Sequence, residues 1–221
     1  MNLKFKLSIA LIISILSLIV FSFLVFIISA KKIVQFDSTI ISFVQGFESP
    51  GLTSIMKLFS IIGDTPAVIV LSLVVLLFLY VVLKHRTELV LFVAAIIGSA
   101  ILNLILKYLF QRARPDIHRL VEIAGYSFPS GHAMNSCTVY TITSFLLWHN
   151  ISTRAGRTIL IIISVMMILS IGISRIYLGV HYPSDVIGGY FASGFWLTIA
   201  IWFFQKYQDK YGRNRRAPAK G

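Results

Sequence analysis

Residues 8–30 read SIALIISILSLIVFSFLVFIISA, a run of 23 residues without a single charge. At about 1.5 Å of rise per residue, a helix of this length reaches ~35 Å, enough to cross a hydrocarbon core ~30 Å thick. The run exceeds the ~7–15 residues of a signal-peptide core, and Lys31-Lys32 follows it without a small-residue cleavage pattern, so it reads as an uncleaved span. Five further apolar stretches follow, at 66–83, 89–109, 133–148, 158–176 and 184–204. Composition points the same way. The chain is 57% hydrophobic and 13% charged, whereas a soluble domain averages about 45–50% and 25%. The sequence therefore predicts an all-α integral membrane bundle of six transmembrane helices in one domain, 1–221, with no internal repeat and no separate soluble part.

Between the first two spans, Leu52, Ile55, Met56, Phe59 and Ile62 recur at helical spacing after Pro50-Gly51. One apolar face on a short helix predicts an interfacial helix, with packing on the end of the bundle as the alternative. The fourth stretch is short and carries Asn135, Ser136 and Thr138, which predicts that it faces other helices rather than lipid. The lone cysteine, Cys137, excludes an intramolecular disulfide and reads as a buried small hydrophobe.

The net charge of +12 raises the question of nucleic acid. No zinc-finger spacing or aromatic–basic strip accompanies it, so no nucleic-acid partner is expected. The densest basic run, residues 206–221, follows the last span and reads as a cytoplasmic tail meeting anionic headgroups, with Ala217 to Gly221 disordered. With both termini cytoplasmic, twelve Lys and Arg fall on the cytoplasmic side and eight on the other. The positive-inside bias supports that orientation. The outer eight exceed what topology asks for, so some of them have work to do.

Three outer clusters hold that surplus. In the first, Lys107 precedes Arg114-Pro115 by seven residues; if the third span stays helical to Arg114, two turns put both cations on one face and Pro115 ends the helix. An Arg fork beside a Lys point charge suits a phosphate, although interfacial snorkelling also accounts for such residues. In the second, Pro129-Ser130-Gly131-His132 opens the fourth span. Ser130 is an N-cap, Gly131 permits close approach, and the free N–H groups of a helix start form an anion site with His132 beside it. In the third, Ser174-Arg175 leads to His181 and, four residues later, Asp185. A carboxylate at that spacing can accept the Nδ1 proton of His181 and free Nε2 to attack, while an N-terminal capping role for Asp185 is the plainer alternative. The alternation of spans gathers all three clusters on one side. The residues alone leave open whether His132 or His181 is the nucleophile, except that only His181 has an Asp at helical spacing.

Lys-x6-Arg-Pro, Pro-Ser-Gly-His and Ser-Arg-x5-His-x3-Asp are together similar to the three signature motifs of the type 2 phosphatidic acid phosphatase superfamily, and the chain resembles its bacterial membrane lipid phosphatases over about residues 60–200. The resemblance implies that His181 is the nucleophile, that Asp185 orients it, and that His132 protonates the leaving alkoxide and then activates water. It implies phosphate binding by Lys107, Arg114, Ser130, Gly131 and Arg175. The expected activity is metal-independent hydrolysis of a membrane-lipid phosphate through a phosphohistidine, at the outer face of a bacterial plasma membrane. Phosphatidylglycerophosphate and phosphatidic acid lead the substrates, and undecaprenyl pyrophosphate or phosphotransfer to another acceptor follows. No cofactor is expected. With eight acidic residues and no metal-ligand spacing, no metal site is expected either. A transporter of phosphorylated solutes fits less well, because such proteins place their ionisable residues along a midplane pathway.

Overall fold

The computed structural model describes residues 3–84, 86–116 and 118–216. The described chain is all-helical: α1 (Leu3–Ser29), α2 (Val34–Gln45), α3 (Pro50–Gly63), α4 (Thr65–Val81), α5 (Arg86–Phe110), α6 (Gly131–Leu147), α7 (Arg154–Tyr177) and α8 (Pro183–Arg216). Capping residues start several of these where the sequence changes character. Ser49 accepts from the Leu52 amide ahead of Pro50, Asp64 from Thr65 ahead of Pro66, and Thr153 from Gly156. Each satisfies an amide that the first helical turn leaves without an internal partner.

Helix α6 is the hub, packed against α5, α7 and α8, while α1 lies along α8 and α3 lies on α7. Its Ala133, Met134, Val139 and Ile142 are buried. Two of its hydroxyls are answered by neighbouring helices: Thr138 donates to Ser99 on α5 at 2.8 Å, and Ser144 lies 2.7 Å from Ser164 on α7. Enclosure by helices explains how so polar a segment survives in an apolar bundle. By contrast α1 turns Leu11, Ile12, Leu16, Phe23 and Phe26 outward, a surface that only lipid solvates favourably. On α5, Gly98 lets Trp196 of α8 lie against the backbone, where a Cβ would overlap the indole; the indole N–H donates to the Ala95 carbonyl at 3.0 Å.

Among the described residues, four helices are long and apolar enough to cross a bilayer: Ser8–Ser29, Thr87–Phe110, Arg154–Tyr177 and Pro183–Lys210. The pair α3–α4, bent by 57° at Asp64, makes a fifth if taken as one broken span. The chain is thus a multi-pass membrane protein. The expected second and fourth spans correspond to α4 and α6, which have 17 residues each.

The stretch between the first two expected spans holds two helices rather than one. The expected short helix is α3, with Leu52, Met56, Phe59 and Ile62 facing inward in part and Ile55 outward. Helix α2 was not anticipated; its first turn carries Asp37, buried at 1% exposure. A second difference concerns α5, which ends at Phe110, short of Arg114. Gln111 takes a left-handed φ of 44° and returns its N–H to the Lys107 carbonyl, closing the last turn. Finally α8 runs unbroken to Arg216, so the basic run continues a helix for most of its length. Ala217 to Gly221 lie outside the described residues.

Candidate active site

Among the described residues, those from Gln111 to Ser130 are not helical, and backbone bonds stitch them across the ends of α7 and α8. Ser127 N–H donates to Arg112 O at 2.8 Å, Leu120 N–H to Leu178 O at 3.1 Å, and Ser130 N–H to Asp185 O at 3.1 Å. These bonds bring the three sequence clusters together at one end of the bundle.

At the centre sits His181, 2% exposed, in the short turn between α7 and α8. Its Nε2 lies 3.1 Å from Nη1 of Arg114, and its Nδ1 lies 3.4 Å from Oδ2 of Asp185. A guanidinium only donates, so Nε2 is the accepting nitrogen and the ring proton belongs on Nδ1, toward the carboxylate. Nε2 then carries the lone pair that a nucleophile needs. Burial pushes the His181 pKa down to about 4, against the opposing pull of Asp185. The ring is therefore neutral at pH 7.

Asp185, at the start of α8, is completely enclosed. Its Oδ2 accepts from the Ser127 hydroxyl in a short hydrogen bond and from the Tyr182 amide at 2.9 Å. Its Oδ1 accepts from Nη1 of Arg112 at 2.6 Å. Nη2 of Arg112 donates to Oδ2 of Asp37 at 2.8 Å, and the guanidinium lies 4.1 Å over the Tyr182 ring. Asp37 in turn accepts from Ser184, from its N–H at 2.9 Å and its Oγ at 2.7 Å. Removing one partner from a buried charge pair of this kind costs on the order of 3–5 kcal/mol, because the other charge is left uncompensated.

Of the expected phosphate-binding residues, Arg114 touches Nε2, and Arg175 is an electrostatic neighbour of the same ring. Arg114 arrives from extended chain, not from the face of α5 that carries Lys107, and is aimed by three carbonyls: Gly125 O at 3.0 Å, Ala124 O at 3.3 Å and Val180 O at 2.8 Å. Lys107 donates to Tyr126 O at 2.6 Å. Arg175, 1% exposed, is held by the Ser60 hydroxyl of α3 through Nη1, while its Nε and Nη2 have no acceptor. A buried guanidinium with two unsatisfied nitrogens is costly on its own and suits a bidentate oxyanion. Ser130 caps α6 by accepting from Ala133 at 3.4 Å, so its own proton is available to donate. The amides of Gly131 and His132 are in the first turn of α6, where an anion is favoured. Gly131 backs onto Asn103, whose Oδ1 would lie 3.3 Å from an added Cβ.

His132 stands in the first turn of α6. Its Nε2 is 4.0 Å from Oδ1 of Asp64, and its ring also hydrogen-bonds the Ser60 backbone. Arg175, His181 and Arg114 are its electrostatic neighbours. Among the described residues no three His, Cys, Asp or Glu side chains converge as a metal-binding group.

Sequence reasoning named every residue of the three motifs but missed Asp37, Ser60, Asp64, Arg112 and Ser127. Two of these left a trace. Arg112 is an extra cation inside the Lys-x6-Arg-Pro run, and Asp37 is the first acidic residue of the chain, set in an apolar segment. Ser60, Asp64 and Ser127 have no pattern that marks them.

Known proteins bear on this geometry. Phosphatidylglycerophosphatase B of Bacillus subtilis is 38% identical over 119 residues, 52% of this chain and 56% of that protein. Decaprenylphosphoryl-5-phosphoribose phosphatase of Mycobacterium tuberculosis is 35% identical over 111 residues, 48% of this chain and 55% of that protein. These matches thus span about half the length of either curated relative. The crystal structure of a transmembrane PAP2 type phosphatidylglycerolphosphate phosphatase from Bacillus subtilis superposes with a TM-score of 0.75 at 26% identity, over 89% of this chain and 96% of that one. The family model for the PAP2 superfamily matches residues 88–209, which run from the start of α5 through α8 and hold all three clusters, and the chain belongs to that superfamily.

Proposed function

We propose that this protein is a metal-independent lipid phosphatase that works through a phosphohistidine at His181. The observation that carries the reading is the pairing of a buried, accepting Nε2 on His181 with a buried Arg175 whose Nε and Nη2 have no protein partner. Phosphoryl transfer asks the protein mainly to position the group and to stabilise charge on its equatorial oxygens. Lys107, Arg114, Arg175 and the first turn of α6 supply that charge.

In the first step Nε2 of His181 attacks phosphorus and the bond to the lipid alkoxide breaks. The alkoxide takes a proton from His132. Arg114 transfers its Nη1 hydrogen bond from Nε2 to a phosphoryl oxygen. Asp185 holds the Nδ1 proton and balances the positive ring. In the second step His132, now neutral, accepts a proton from water as the water oxygen attacks phosphorus. The P–N bond breaks, inorganic phosphate leaves, and His181 is regenerated. The two histidines need opposite protonation states, so activity is bell-shaped in pH.

The whole described chain acts as one membrane-embedded domain with six transmembrane segments, α4 and α6 included, in a bacterial plasma membrane. Both termini are cytoplasmic and the site lies at the outer face, where the lipid tails stay in the bilayer. Phosphatidylglycerophosphate and phosphatidic acid are the favoured substrates, supported by the similarity to the Bacillus phosphatidylglycerophosphatase. Phosphate release by detergent-purified protein tests this, using phosphatidylglycerophosphate, phosphatidic acid and undecaprenyl pyrophosphate, with His181→Ala alongside. Fast release by the wild type alone supports the reading. Equal release by His181→Ala overturns the nucleophile. Consumption of the lipid phosphate without release of inorganic phosphate, with a new phosphate ester formed only when a second alcohol is added, points to phosphotransfer instead.

A further inference from the structure

Asp37, Arg112 and Asp185 form an unbroken alternation of negative, positive and negative charge that ends on His181. The distances are 2.8 Å from Asp37 to Arg112, 2.6 Å from Arg112 to Asp185, and 3.4 Å from Asp185 to Nδ1 of the histidine. Asp37 and Asp185 are buried and the Arg112 side chain is 16% exposed, so water screens this chain of charges weakly. Asp37 belongs to α2, outside the part of the chain that the family model covers.

We propose that Arg112 and Asp37 are positioning residues that set the basicity of His181 through Asp185, with opposite signs. The inference rests on the phosphohistidine reading above. A lone Asp185 would pull strongly on the Nδ1 proton and make Nε2 a stronger base. Arg112 on Oδ1 offsets part of that pull. Asp37 on the far side of Arg112 offsets part of the offset, and it also accepts from Ser184, from the N–H on Oδ1 and from the hydroxyl on Oδ2, which holds the turn carrying Asp185. The result is a nucleophile basic enough to attack, yet able to leave phosphorus in the second step.

The other groups facing His181 are Arg114 from the chain after α5, Arg175 from α7 and His132 from α6. Those acting on Tyr182, beneath Arg112, include Asp185, Asp37 and Arg119. None of the three His181 neighbours is altered by a substitution at Arg112 or Asp37. The sign of the change in His181 therefore reports on the two residues themselves.

The test is a titration of His181 by NMR in the full-length chain, labelled with 15N-histidine in detergent micelles and assigned with His181→Ala. Arg112→Gln removes the charge but keeps a donor, and it raises the His181 pKa by roughly one unit. Asp37→Asn lowers it by several tenths of a unit. Arg112→Lys keeps the charge and holds the pKa within about 0.3 unit of the wild type. A merely structural role predicts a different pattern: both neutral variants loosen the burial of His181 and drift upward together. Movement of Arg112→Gln and Asp37→Asn in the same direction, or an unmoved midpoint in Asp37→Asn, overturns the proposal. If Arg112→Gln does not fold, the downward sign in Asp37→Asn decides alone. Phosphate release from short-chain phosphatidic acid is measured on the same samples. Turnover by the wild type and none by His181→Ala leaves the functional reading standing whichever way the titration falls. Loss of that contrast removes the reading, while the titration still judges the electrostatic arrangement.

Discussion

The chain from α5 to α8, connections included, and the chain from α2 to α4 meet at the same site but contribute to it differently. The first group supplies every motif residue: Lys107, Arg114, Ser130, Gly131, His132, Arg175, His181 and Asp185. The second group supplies three polar side chains that the motifs do not name, and each is fastened to a motif element. Asp37 bonds Arg112 and Ser184, Ser60 bonds Arg175, and Asp64 lies 4.0 Å from His132. The family model reflects this division, since it matches 88–209 and leaves the second group out. The lesson is one of roles. On the proposed reading, chemistry is concentrated in one half of the chain, and the other half fixes the orientation of the charges that perform it.

The division can be broken at its strongest point first. His181→Ala removes the proposed nucleophile and should cost roughly 10³-fold or more in kcat, measured as phosphate release. Near-normal turnover would empty the motif half of its special status. Arg175→Lys and Arg114→Lys come next, with a loss of about 10²-fold each, because an ammonium cannot copy two planar N–H bonds to one oxyanion. A Lys variant with wild-type kcat would show that charge alone suffices. His132→Ala should cost about as much as these on a lipid phosphate, and the loss should depend on the leaving group. A lipid phosphate should slow by about 10²-fold, whereas an activated aryl phosphate, whose leaving group needs little proton assistance, should slow far less. Equal losses would remove the general-acid role.

The support half predicts smaller effects. Ser60→Ala leaves Arg175 with one fewer acceptor, and about a tenfold rise in KM with little change in kcat is expected, because orientation for binding is lost and the reacting groups remain. A loss as large as that of Arg175→Lys would mean that Ser60 touches the substrate. The pH dependence sharpens the comparison further. His181 is held neutral by burial, with a pKa of about 4. Its nucleophilic form is therefore present above that pH and is lost as pH falls through it. A His181 midpoint near the ordinary value of about 6.5 would show that the enclosure by both halves is looser than the structure has it. The smallest expected effect is that of a chelator, which should leave phosphate release unchanged.

Much was legible before any coordinates. Uncharged apolar runs specify helices in a bilayer, because every backbone polar group must be satisfied within its own segment. The polar residues of the fourth run correctly pointed to an interior helix, since hydroxyls at that depth need partners on neighbouring helices. Other features depended on long-range contacts. The end of α5 at Phe110 was hidden because Pro115 looked like the natural stop, whereas bonds from the chain around Gly125 and Ser127 draw Arg112 and Arg114 off the helix early. Helix α2 was hidden because a short segment with one buried acid has no periodic signature of its function.

The sequence by itself determined the membrane class, the helical architecture and the three polar clusters that gather at one end of the bundle, because periodicity, hydropathy and motif spacing are local properties. Only the tertiary structure decided how those side chains are held. The accepting nitrogen of His181 follows from Arg114, 67 residues away. The full enclosure of Asp185 follows from Arg112, 73 residues away, and from Asp37 beyond it. Partners so distant in the chain are joined by packing, and no local pattern of residues encodes which buried charge will answer which.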